Sequence, residues 1–80
     1  MSGPRATDEE VARQILGLFA AHRIGLGGIL RRFDLFEVRD GDFRRGMDYA
    51  LASKWVEQHR SDRHRYILTH AGFGEINSER

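Results

Sequence analysis

The side chains in this chain that could do chemistry are mostly arginines, gathered in two places. One group lies between Asp40 and Lys54: Arg44, Arg45, Asp48, Tyr49 and Ser53. The other is the polar stretch His59 to Arg65, which carries Arg60, Arg63 and Arg65 with His59 and His64, against Asp62 alone. A guanidinium is planar and always charged, and it meets an oxyanion with two parallel hydrogen bonds. Contact with a polyanion is therefore the chemistry these residues suit. Catalysis has no comparable support. The carboxylates form no acid/base pair, and no serine or threonine sits in a nucleophile motif. Gly25 to Gly28 lacks the lysine and hydroxyl that complete a phosphate-binding loop. Four histidines invite a metal reading, but there is neither a cysteine partner nor an i, i+4 histidine pair. No enzyme activity, cofactor or metal is expected.

The 80 residues are enough for one small domain. Without cysteine there is no disulfide framework to reinforce it. Hydrophobic content of 40% and charged content of 31% fit a folded chain, not a disordered one. No apolar run reaches the roughly 20 residues that cross a bilayer. Met1 to Arg5 has no apolar core of a signal peptide, so no membrane partner and a cytoplasmic location are expected. Net charge is only +1 and does not by itself announce nucleic-acid binding. Its distribution is more telling, with acids in excess near the N-terminus and arginines in excess between His59 and Arg65.

These residues have to be positioned by the elements around them. Residues 1–6 read as a frayed tail. Thr7-Asp8-Glu9-Glu10 is a capping box, and the three acids suit the positive end of a helix. Val11, Ala12, Ile15, Leu16, Leu18 and Phe19 then line one side of a helix that ends near His22. Arg23 to Gly28 is a connector in which Ile24 and Leu26 alternate with glycines, as in a very short strand. Ile29, Leu30 and Phe33 have the spacing of a short second helix, with Arg31, Arg32 and Asp34 toward water. Residues 34–40 read as a turn that tucks Leu35, Phe36 and Val38 under the core. A third helix follows to about Lys54, capped by Asp40 or Asp42. Its wheel puts Phe43, Met47, Ala50 and Leu51 inside. Arg45, Asp48, Tyr49 and Ala52 fall outside, with Arg44 on the flank. Gly46 is costly within a helix, and a close helix–helix approach would explain it. Trp55–Arg60 and Arg65–Leu68 alternate like two strands about a turn. Thr69 reads as the cap of a last short turn, His70 to Phe73, and 74–80 as a polar tail.

The run Tyr66-Ile67-Leu68-Thr69-His70-Ala71-Gly72 resembles the Y-x-L-T-x-x-G ending of many bacterial winged helix-turn-helix regulators of the MarR-like and PadR-like kinds. Ala50 to Val56 is similar to the segment where their third helix enters the wing. The resemblance spans about residues 8–73. It implies an α+β winged helix-turn-helix domain over residues 7–73, with three helices, a small antiparallel β-hairpin wing, and flexible tails at 1–6 and 74–80. It also implies a bacterial transcriptional regulator or regulator-like protein that binds double-stranded DNA. The third helix would enter the major groove and the hairpin would follow the backbone or minor groove. At matching positions the DNA-binding residues would be Arg44, Arg45, Tyr49, Ser53, Arg60, Arg63 and Arg65. No further long helix follows the hairpin, so a homodimer reading a palindromic site would need the first helix or another interface. The rival expectation is a winged-helix protein-interaction module without DNA binding, which near-zero net charge and Asp48 on the presented face favour. The wing lacks a glycine, and Asp48 can pair with Arg44 four residues back.

Overall fold

The computed structural model describes residues 7–35 and 38–78. In chain order the elements are α1 (Asp8–Ala21), β1 (Ile29–Arg31), a 3-10 turn (Arg32–Leu35), α2 (Asp40–Ala52), β2 (Val56–Gln58), β3 (Arg65–Leu68) and α3 (His70–Ser78). The fold is α+β, with three α-helices and a three-stranded antiparallel sheet of order β1-β3-β2. The expected 1–6 tail and the expected burial of Phe36 lie outside the described residues.

The first helix begins as its residue types dictate. The Thr7 hydroxyl accepts from the Glu10 amide at 3.1 Å, and the Glu10 carboxylate accepts from the Thr7 amide at 2.8 Å. Val11, Ala12, Ile15, Leu16 and Phe19 are buried, and α1 makes its largest contact with α2. Gly46 is where the two helices touch. A methyl group there would stand 2.4 Å from Val11 Cγ1 and 3.0 Å from the Val11 carbonyl carbon. The glycine therefore permits the close approach that its position suggests.

Both long helices end the same way. The Arg23 amide donates to Ala20 and the Ile24 amide to Phe19; the Lys54 amide donates to Leu51 and the Trp55 amide to Ala50. This is the Schellman arrangement, whose left-handed residue is usually glycine. Here Arg23 (φ 60°) and Lys54 (φ 66°) adopt it instead.

Several expected elements are displaced. The short strand is not 23–28 but Ile29–Arg31. Gly25 to Gly28 forms a turn closed by the Gly28 amide donating to Gly25, with Gly27 at φ 80° as a type II turn requires. The expected second helix shrinks to the 3-10 turn, and Phe33 is 78% exposed instead of buried. Its apolar spacing mixed a strand residue with a turn residue: Leu30 faces the core because strands alternate, while Phe33 lies past the strand's end. Neither Asp40 nor Asp42 caps α2. Arg39 occupies that position without a side-chain bond, and the two carboxylates lie within the first turn, where they suit the dipole.

The strands and the C-terminal helix are tied by the Tyr66–Gly72 run. Tyr66 and Leu68 face inward, paired across β1 and β2. The Thr69 hydroxyl lies within bonding distance of the Lys54 and Trp55 carbonyls, the latter at 2.8 Å, and accepts from the Gly72 amide at 3.1 Å. At Gly72 a methyl group would lie 2.1 Å from the Trp55 carbonyl oxygen. The last element is longer than the short turn expected. It runs as helix through Ser78, with Ile76 against the core and Glu75 paired to Arg13 at 2.9 Å. Among the described residues no helix is long and apolar enough to cross a membrane.

Candidate nucleic-acid interface

A cleft of about 460 Å³ separates α2 from the inner face of the sheet near the hairpin turn. Phe43, Met47 and Leu51 line it from α2; Tyr66, Gln58 and His64 line it from the hairpin. Arg32, Asp40, Arg44 and Asp48 complete its walls and rim. The Phe43 ring meets Tyr66 edge-on at 5.7 Å. Burial raises the Tyr66 phenol above its ordinary pKa; Arg32 and a hydrogen bond with Gln58 act against this, and the Asp48 charge adds to it. Tyr66 is thus a neutral phenol near neutral pH.

The buried stripe of α2 keeps the wheel's inner side but is shifted toward Gly46. Gly46, Met47 and Ala50 are buried, while Phe43 and Leu51 pack against the core half-buried and border the cleft. The helix is rotated by its contact with α1, which Gly46 brings close. That rotation redistributes the candidate residues. Arg44 stays exposed on the cleft rim. Arg45, expected on the presented side, turns to α1: it donates to Asp8 at 2.7 Å and to Asp42 at 3.0 Å. The bonds with Asp42 and Asp8 raise its pKa further. Tyr49, expected beside it, is half-buried with its ring 5.5 Å from Trp55. Ser53 is the half-buried C-cap of α2. Arg44 and Asp48 form no ion pair with each other.

The hairpin turn is ordered without glycine. The Ser61 amide donates to His59 Nδ1 at 3.0 Å, and the His64 amide donates to Asp62 at 2.9 Å. The Gln58 side chain donates to the Arg63 carbonyl at 3.1 Å. Arg65 is exposed and pairs with Asp62 at 3.3 Å. Arg60 and Arg63 are exposed and form no ion pair among the described residues.

Near-zero net charge conceals an imbalance. Among the described residues the carboxylates are largely consumed internally: Glu9 and Glu75 by Arg13, Asp34 by Arg31, Asp40 by Arg32, Asp8 and Asp42 by Arg45, Asp62 by Arg65. Arg23, Arg39, Arg44, Lys54, Arg60 and Arg63 remain outside ion pairs, against Asp48, Glu57 and the cap residue Glu10. Four of those six cations belong to the start of α2 or the hairpin turn.

Arg32 was expected in water and is half-buried. Its guanidinium donates to the Leu35 carbonyl at 2.8 Å, the Val38 carbonyl at 2.9 Å and Asp40 at 2.7 Å, and it lies 4.0 Å over the Phe43 ring. The sequence held no signal for this, because a three-residue strand shows no period: pairing with β3 turns Ile29 and Arg31 out and Leu30 in, and Arg32 follows it. Among the described residues no cluster of three or more His, Asp or Glu could hold a metal ion. No protein-family model, curated protein or solved structure matches this chain.

Proposed function

We propose that this protein is a small winged-helix domain that binds double-stranded DNA, with α2 as its recognition helix and residues 59–65 as its wing. The order of a helix, a short strand, a second long helix and an antiparallel hairpin supports this reading. One turn of 3-10 helix stands where the resemblance of Tyr66–Gly72 implies a second α-helix. The single observation that carries the reading is the location of unpaired charge. Arg44 on α2 lies on the rim of a cleft that the hairpin also borders through Gln58 and His64, and the same hairpin turn carries the exposed Arg60 and Arg63, while Arg45 is neutralised by Asp8 and Asp42.

In this reading Arg44, Arg60 and Arg63 meet phosphates or base edges, with Arg65 and Arg39 beside them. Arg45, Tyr49 and Ser53 support the helix that presents Arg44. With about four phosphate contacts, affinity falls by roughly four decades per decade of salt. Fluorescence anisotropy of a labelled duplex over a salt series tests this; binding that ignores salt, or none at low salt, rejects it. Contact through a recognition helix and a wing is the regulator's mode, so a bacterial transcriptional regulator is the role proposed.

A protein-interaction module is the second reading, and one feature favours it. The cleft floor is apolar and aromatic, and its rim carries Asp40 and Asp48 besides Arg32 and Arg44. Mixed charge around an apolar floor suits a polypeptide better than a phosphate chain. Light scattering combined with a mobility shift separates the two: a defined assembly without DNA affinity supports this reading. A dimer through α1 has no support from an exposed large apolar side chain: among the described residues none lies on that helix, whose exposed positions include Gln14, Gly17, Ala20 and Ala21.

A further inference from the structure

Asp48 is the anomaly of the cleft. It is exposed on α2, outside every ion pair, and close enough to Tyr66 for its charge to act on the phenol. A carboxylate in that position repels phosphates, so it weakens general attraction to nucleic acid. Arg44 lies one helical turn earlier and does not neutralise it. A cation placed N-terminal to an anion at this spacing is the less favourable order for a pair. The two side chains therefore stand side by side, both open to a partner.

We propose that Arg44 and Asp48 form a two-residue reader that selects duplexes with guanine and cytosine close together, Asp48 accepting a hydrogen bond from the cytosine N4 amino group. The inference rests on the DNA-binding reading above and deepens it. In the major groove the amino groups of cytosine and adenine are the donors a carboxylate can use. Adenine places the N7 acceptor beside its amino group, which opposes a carboxylate; cytosine has no acceptor on that side. Guanine O6 and N7 are both acceptors and match the Arg44 fork. Four helical residues advance about 6 Å, and base pairs follow one another every ~3.4 Å. The two contacts thus fall within about two base-pair steps. The rest of α2 offers little competing readout. Arg45 is held by Asp8 and Asp42, Tyr49 lies against Trp55, and Gly41 and Ala52 lack polar side chains. The cost of Asp48 to phosphate attraction then has a purpose: discrimination gained for affinity lost.

The test is selection from a short duplex library with a randomised centre, using the full chain, followed by anisotropy on the selected duplex. Wild type should enrich neighbouring guanine and cytosine and discriminate against A·T replacements by about five- to tenfold. Asp48→Ala and Asp48→Asn should bind unselected duplex at least as tightly as wild type while losing the cytosine preference. N4-methylcytosine, which in a paired duplex directs its methyl into the major groove, should weaken wild type and leave Asp48→Ala unaffected. Salt-dependent binding without base preference, or a preference that survives in Asp48→Ala, overturns this assignment and leaves the DNA-binding reading standing. Absence of duplex binding at low salt overturns both.

Discussion

Alanine should have opposite effects at two helical glycines of this protein. Gly17 lies in α1 with open space around the position of an added methyl group, and Gly46 lies in α2 against Val11. Both substitutions carry the same intrinsic gain in helix propensity, about 0.8–1 kcal/mol. At Gly17 nothing opposes it, so Gly17→Ala should stabilise by roughly 0.5–1 kcal/mol. At Gly46 the new methyl meets Val11 Cγ1 at 2.4 Å, Cβ at 2.9 Å and backbone carbon at 3.0 Å. A rotamer change could move the first atom but not the other two. The helices must separate along their main contact, and overpacking of this kind costs about 1–3 kcal/mol, at times more. Net destabilisation of up to roughly 2 kcal/mol is expected for Gly46→Ala. An 80-residue domain has about 4–12 kcal/mol of stability in all, so this is a large fraction. The melting temperature should fall by about 4–8 °C for each kcal/mol lost and rise correspondingly for Gly17→Ala. Urea denaturation followed by circular dichroism and by Trp55 fluorescence gives both values, with unchanged m showing that only stability moved. If Gly46→Ala proves as stable as Gly17→Ala, the close approach of α1 and α2 is wrong, and the rotation of α2 inferred from it is wrong too.

Other substitutions test other parts of the structure. Thr69→Val removes the hydroxyl that joins the Trp55 carbonyl to the Gly72 amide, and should destabilise by about 1–2 kcal/mol in urea denaturation. Lys54→Gly relieves a left-handed non-glycine residue and should stabilise by roughly 0.5–1 kcal/mol in the same assay, although it adds a glycine. In DNA titrations Arg63→Ala should reduce the salt slope by about one, whereas Arg45→Ala should leave the slope nearly unchanged because its guanidinium is held by Asp8 and Asp42. Asp34 has its pKa lowered, first by the Arg31 amide that donates to it, so its stabilising effect is present above its unfolded value near ~3.9 and disappears as pH falls through the lower folded value. Asp34→Asn should therefore show a shallower loss of melting temperature than wild type below about pH 4.

Read alone, the amino-acid order was sufficient for everything governed by neighbours in sequence. The capping box at Thr7, the apolar stripe of α1, the change from helical to alternating period after Lys54 and a turn at 61–64 depend on residues a few positions apart, and each is close to where local chemistry puts it, although the first hairpin strand stops at Gln58 and not at Arg60. The α+β class follows from those elements. Local chemistry also misled in identifiable places. Asp40 and Asp42, each a good capping residue type, lie inside the first turn of α2, and Arg39 takes the cap position. Ile29–Arg31 has too few residues to show a period, and it becomes a strand because β3 lies beside it. Only the folded chain decides which arginines are free. Arg44 and Arg45 are adjacent and chemically identical, yet Gly46 against Val11 sets the roll of α2, which turns Arg45 to Asp8, 37 residues away, and leaves Arg44 on the cleft rim. A wheel gives relative angles around one helix; the zero of that angle is set by what the helix packs against.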